Sequence, residues 1–189
     1  MLLDRKDVNP DHPDIEYGRT PLSWAAGNGR EGVAKMLLER GDVNPDQSDT
    51  KYGRTPLSRA AENGHQGIVK MLLEGKGVNP DRPDTFYGQT PLSWATENGH
   101  EGIVKMLLER GDVNPDQPDT YFGQTPLSWA AGNGHQMIVK MLMEREDDRT
   151  AMPDNMNQSH KRRRLSPNGS WNCEDSTGAW QRPFRHSQS

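Results

Sequence analysis

Three histidines are the first residues in this chain that could do chemistry. His65, His100 and His135 each follow a glycine, recur at a step of 35, and are matched one step earlier by Arg30. Imidazoles in a row could ligate a metal or act as general bases. Successive units of a stacked repeat lie on the order of 10 Å apart, the spacing of packed helices. Two imidazoles sharing a zinc ion must each approach it to ~2.0–2.1 Å, so the spacing favours a turn residue over a ligand. Ser93 with His100 suggests a nucleophile and its base, but the pair comes with no nucleophile elbow, orienting acid or oxyanion loop. It also recurs in nearly every unit, whereas a catalytic site occurs once. Gly27-Asn28-Gly29 follows a helical pattern and lacks the third glycine of a nucleotide fingerprint. Cys173 is the single cysteine, which excludes an intrachain disulfide and a cysteine-based zinc cluster. The expected reading is a chain that is no enzyme and has no cofactor and no metal.

The element that carries these residues is a repeat. Thr20, Thr55, Thr90 and Thr125 each open a Thr-Pro-Leu-Ser run, at a constant step of 35. A period of that length marks a solenoid in which each unit buries its apolar face against its neighbours. Phe86–Thr120 spans one full period. Thr90 is a good N-cap and Pro91 suits the first helical position. Leu92, Ala95 and Thr96 give a short helix one face of apolar and small side chains, and Asn98-Gly99 ends it through a left-handed residue. A second helix is expected over Glu101–Glu109. Its Ile103, Val104, Met106, Leu107 and Leu108 spread over more than one stripe, which requires burial between neighbours. Gly111 stops it, and Asp112–Thr120 with Pro115 and Pro118 forms a long loop.

This unit resembles an ankyrin repeat. The matching residues are Gly88-Gln89-Thr90-Pro91-Leu92, Ala95, Gly99-His100, Val104, Leu107-Leu108, Gly111 and Val113-Asn114. The resemblance covers roughly residues 15–145 and implies an all-α solenoid of stacked helix-turn-helix units with long connecting loops. Two features depart from the family's pattern. Ser23, Ser58, Ser93 and Ser128 stand where the family usually has histidine, and the loop before each tip is longer, lifting the period from 33 to 35.

The apolar share is 31% and the mean hydropathy −1.01, values that would suit disorder if the apolar residues were scattered. The period gathers them into the second helices instead, so a small core is available. No run approaches the ~18 apolar residues of a membrane span. Met1–Asp7 has too few apolar residues before its charges for a signal peptide, so the expected setting is cytoplasmic or nuclear. Net charge is −4 overall, and residues 1–145 carry 16 basic against 21 acidic side chains. An acidic array is a poor general match for nucleic acid, so neither nucleic acid nor membrane is an expected partner.

In chain order, Met1–Pro10 repeats the pattern of Met36–Pro45. Residues 1–16 therefore read as the remnant of a preceding unit, and the chain as a fragment of a longer array or the product of a mis-set start codon, with a functional short form as the alternative. The repeat domain is expected over 17–148, with units from Tyr17, Tyr52, Tyr87 and Phe122 and second helices over Val33–Glu39, Ile68–Glu74, Ile103–Glu109 and Ile138–Glu144. Uncapped ends, with Met137, Ile138 and Met141 exposed, would allow self-association. Residues 149–189 are rich in Ser, Asn, Gln, Pro and charge and read as a disordered tail. Within it Trp171, Trp180 and Phe184 are idle aromatics or an improvised cap. Lys161-Arg162-Arg163-Arg164 resembles a nuclear import signal, and Ser166-Pro167 is a candidate phosphorylation site whose added charge would oppose it.

Comparison among the units indicates a function. Residues that recur unchanged serve the fold, and those that vary are free to serve partners. Lys51-Tyr52, Phe86-Tyr87 and Tyr121-Phe122 precede the tip glycines; Arg19, Arg54, Gln89 and Gln124 follow them; Glu62 and Glu97 end first helices. The family resemblance implies that these places line a concave partner-binding groove, and aromatic tips beside arginine suit interface hot spots. Trp24, Trp94 and Trp129 share one position with Arg59, which suggests a half-exposed site beside that groove. The expected function is non-catalytic binding of a protein partner through tips and first helices. The runner-up is a structural spacer from a longer scaffold or receptor-like protein, with no partner of its own.

Overall fold

The computed structural model describes residues 8–150. Among these residues eight helices form four pairs: α1 (Pro21–Gly27) with α2 (Glu31–Leu38), α3 (Pro56–Glu62) with α4 (Gln66–Glu74), α5 (Pro91–Glu97) with α6 (Glu101–Leu108), and α7 (Pro126–Gly132) with α8 (Gln136–Thr150). No strand occurs among the described residues. The first helices stack on one another in one layer and the second helices in another. Leu22, Leu57 and Leu92 from the first layer meet Ile68, Leu72, Ile103, Leu107 and Ile138 from the second, all essentially without solvent contact.

Local chemistry fixes each short helix. Thr20, Thr55, Thr90 and Thr125 sit in extended backbone, and each Oγ1 accepts from the amide of the serine three residues on, with a proline at the first helical position. In units two to four the same serine's hydroxyl also bonds the threonine hydroxyl, at 3.1 Å. Serine thus fills the family's histidine place with a local bond. At the other end, Asn28, Asn63, Asn98 and Asn133 each donate a side-chain N–H to the carbonyl four residues back.

The histidines are turn residues with a second task. His65, His100 and His135 each place Nε2 3.0–3.1 Å from a carbonyl at the end of the preceding unit's first helix, on Gly27, Glu62 and Glu97 respectively. They strap one unit to the next. Among the described residues no group of three acidic, histidine or cysteine side chains is placed to hold a metal.

The longer loop is absorbed before the tip. Asn9, Asn44, Asn79 and Asn114 open Asn-Pro-Asp segments, and the side-chain oxygen of each accepts from the amide two residues on, that of Asp11, Asp46, Asp81 and Asp116, at 3.0–3.1 Å. The tip itself remains a tight hairpin, closed in the second unit by the Asp49 amide on the Arg54 carbonyl at 2.9 Å and the Gly53 amide on the Asp49 carbonyl at 3.1 Å. Consecutive tips are joined too: the Thr120 amide donates to the Tyr87 carbonyl at 2.9 Å. That approach requires glycine at the tip. Gly88 has φ +74°, and a Cβ there would lie 2.6 Å from the Thr120 nitrogen.

Two expectations about the carboxyl end are corrected. The last helix runs past Glu144 to Thr150, because no glycine follows it as Gly41, Gly75 and Gly111 follow the other second helices. Ile138 is fully buried, while Met137 is exposed and Met141 half-buried; Ile138 lies on the face of α8 that packs into the core, and only Met137 lies on the outer one. The proposed half helix at Met1–Leu3, the tail, Lys161–Arg164, Ser166 and the tail aromatics lie outside the described residues.

Candidate partner-binding surface

The tips are built around one aspartate per unit, which reading by variation alone passes over because it never varies. Asp14, Asp49, Asp84 and Asp119 stand four residues before the tip glycines. Oδ1 of each accepts from tip amides, such as those of Tyr52 at 2.7 Å and Gly53 at 3.2 Å on Asp49. Oδ2 accepts from the first helix: Trp24 Nε1 on Asp14 at 2.9 Å, Trp94 Nε1 on Asp84 and Trp129 Nε1 on Asp119 at 3.0 Å, and Arg59 Nη2 on Asp49 at 2.6 Å. The signal was available in the sequence as a recurrent Asp ten residues before the Trp/Arg position.

This geometry corrects the expectation that position 24/59/94/129 is half-exposed throughout. Trp94 and Arg59 are each only 6% exposed, Trp129 is half-buried, and Trp24 in the first unit is 40% exposed. A buried place accepts both tryptophan and arginine because each carries an N–H that can reach the aspartate. Gln89 is buried as well, donating to Glu97 Oε2 at 2.8 Å. Arg59, Trp94 and Gln89 therefore leave the set of direct contact candidates and become supports of the tip.

What remains at the surface is largely aromatic. The Tyr17 and Tyr52 rings stack with centroids 6.5 Å apart, Phe86 and Tyr121 likewise at 6.5 Å, and Tyr87 and Phe122 at 6.4 Å. Edge contacts join the files, Tyr52 to Phe86 at 5.8 Å and Tyr121 to Phe122 at 4.7 Å. Tyr87 and Phe122 rest on Trp94 and Trp129, at 5.9 and 5.7 Å, so the tip rings are continuous with the first-helix tryptophans. Phe86, Tyr121 and Phe122 are 51%, 63% and 46% exposed. Rings fixed by stacking offer contact area with little conformational entropy left to lose.

Cations gather at the amino-terminal half. Lys51 Nζ lies 4.4 Å from the Tyr17 centroid, Arg19 lies 4.3 Å over Tyr17 and 4.6 Å over Trp24, and Arg54 lies 4.0 Å over Trp94. Arg54 also pairs with Glu62 at 2.8 Å. Burial, and then the neighbouring Arg59 guanidinium, lower the Arg19 pKa. The Asp14 carboxyl is held at about 2, chiefly by the Tyr17 amide and then by the Trp24 indole and the Arg19 and Glu16 amides, against the opposing effect of desolvation. Gln124 in the fourth unit is half-buried.

No helix among the described residues is long and apolar enough to cross a membrane. Comparison with curated proteins finds none that matches. A family model described as Ankyrin repeats (3 copies) matches residues 1–84 and 76–154. That match and the four stacked helix pairs agree on one architecture: the chain belongs to the ankyrin repeat family, an all-α solenoid.

Proposed function

We propose that this chain is a non-catalytic protein-binding module that receives an extended segment of a protein partner along its tips. Ankyrin repeats generally serve protein–protein interaction, and the observation that carries the reading is the run of stacked rings with Phe86, Tyr121 and Phe122 exposed. Exposed rings of this size placed side by side are uncommon on a surface with no partner. Lys51, Tyr52, Tyr87, Arg54, Glu62, Glu97, Gln124 and Trp129 border the rings and form the rest of the proposed surface; Arg19 and Trp24 form its amino-terminal end. Phe86→Ser/Tyr121→Ser removes two exposed rings that lie outside the buried core. Affinity capture followed by mass spectrometry should lose its reproducible partners with this double variant while the thermal midpoint stays put. Unchanged capture would reject the tips as the contact surface.

The basic run Lys161–Arg164 is proposed as an import signal that would make the chain nuclear as well as cytoplasmic, with Ser166 phosphorylation opposing it. A fluorescent fusion carrying alanines at those four positions should lose nuclear accumulation, and an unchanged distribution would remove the assignment.

A further inference from the structure

The units differ at one coupled pair of positions. The residue after each tip glycine stands eight positions before the last residue of the same unit's first helix: Arg19 before Gly27, Arg54 before Glu62, Gln89 before Glu97, and Gln124 before Gly132. In the second unit the pair is an ion pair, Arg54 Nη1 to Glu62 Oε2 at 2.8 Å. In the third, Gln89 donates to Glu97 at the same distance. The first unit keeps the arginine and has no carboxylate.

Arg19 makes no side-chain hydrogen bond or ion pair among the described residues and is held only by the faces of Tyr17 and Trp24. The two carboxylates whose charge acts on it are engaged elsewhere: Asp14 by the tip amides and the Trp24 indole and Asp49 by Arg59. Arg59 adds like charge. The space a carboxylate would need is open. A Cβ on Gly27 would meet only Arg59 Cδ and Cβ, at 3.7 and 3.8 Å, which is ordinary contact. Lys51 lies over the same Tyr17 ring and makes no ion pair among the described residues.

We propose that Arg19 takes its carboxylate from the partner: an extended protein segment lays an Asp or Glu over Gly27, where it repeats on Arg19 the pairing that Glu62 makes on Arg54. A guanidinium already oriented by two rings loses little entropy on accepting a carboxylate, and the half-buried setting strengthens the charge-assisted bond. Beyond the acidic residue the segment runs towards the third and fourth units, where its apolar side chains meet Phe86 and Tyr121. This inference rests on the tip surface being the docking surface.

The test is a selection of random dodecapeptides on the full chain, followed by affinity measurement on Phe86→Ser/Tyr121→Ser and on two variants of the coupled pair. Gly27→Glu supplies the carboxylate from within, and Arg19→Gln removes the guanidinium. Both place a residue that another unit already holds at that position, so thermal midpoints should match wild type. Selected peptides should share an Asp or Glu at a fixed distance from an apolar residue. Their affinity should fall at least tenfold on Gly27→Glu and on Arg19→Gln, and changing the peptide's acid to its amide should cost as much on wild type but nothing further on Arg19→Gln. Peptides that need Phe86 and Tyr121 yet carry no acidic position, or that bind Gly27→Glu as well as wild type, would overturn the carboxylate while leaving the tip surface standing. Failure to select any peptide sensitive to Phe86→Ser/Tyr121→Ser would overturn both. A 12-nucleotide single-stranded DNA that bound the chain and lost affinity with Arg19→Gln would assign the guanidinium to phosphate and overturn the proposal.

Discussion

Asp49→Asn should damage the wild-type chain far more than the same change made in an Arg59→Trp background. In wild type Asp49 Oδ2 meets Arg59 Nη2 at 2.6 Å, with the two side chains 0% and 7% exposed. An asparagine could still accept from the Tyr52 and Gly53 amides, but its amino group would face a guanidinium, donor against donor. Leaving one member of a buried pair uncompensated costs about 3–5 kcal/mol. Arg59→Trp alone should be near neutral, within about 1 kcal/mol, because the indole N–H replaces the guanidinium as donor to the carboxylate, as it does on Asp14, Asp84 and Asp119 in the other three units. The new ring would also lie beneath Arg19 as Trp94 lies beneath Arg54 at 4.0 Å, a contact of about 0.5–1 kcal/mol, and the like charge beside Arg19 would be gone. In that background Asp49→Asn leaves only a neutral indole N–H without its acceptor, about 1–3 kcal/mol. Urea unfolding of the four chains gives the cycle, and hydrogen exchange at the Tyr52 and Gly53 amides reports on the tip itself, since solenoid units can open separately. Equal costs in both backgrounds, or an Arg59→Trp chain weaker by more than about 1 kcal/mol, would refute the account of Asp49 as an acceptor indifferent to which donor reaches it.

Three further outcomes are expected. Leu92→Ala, at a site with no solvent contact, should cost about 2–4 kcal/mol by lost transfer energy and a residual cavity; an unchanged thermal midpoint would remove it from the core. Gly88→Ala should cost more than about 2 kcal/mol, combining a left-handed β-carbon with the 2.6 Å approach to Thr120 nitrogen, and its loss of protection should centre on the third and fourth tips. Asp14 is depressed from 3.8 to about 2 in the folded chain, so its contribution is fully present above pH 3.8 and is lost as pH falls through about 2. The Trp24 indole proton should therefore lose its hydrogen-bonded chemical shift across that window, and Asp14→Asn should abolish the transition.

The sequence by itself determined the unit. A 35-residue step, a Thr-Pro start, an Asn-Gly stop and a run of Ile, Val and Leu fix two helices because capping, proline geometry and left-handed glycine are local effects that need no neighbour. The second helices were legible to within a residue or two, except α8, whose extension follows from a missing stop signal that can be read only as an absence. The side of α8 on which Ile138 falls depended on packing, because Met137, Ile138 and Met141 are all apolar and only the stacked neighbour decides which is covered. The candidate surface was half legible. Variation among units picked out Phe86, Tyr121 and Phe122, which are exposed. The same criterion also picked out Arg59, Trp94 and Gln89, which are buried, because variation marks tolerance and cannot tell a free side chain from one of two donors serving the same acceptor. That acceptor, the invariant aspartate, lies ten residues away and meets its donor only when the hairpin tip folds back on the first helix. Tertiary structure also decided which charges are paired: Arg19 and Arg54 occupy equivalent positions in the chain, and only the carboxylate facing one of them, across eight residues of turn and helix, makes them different.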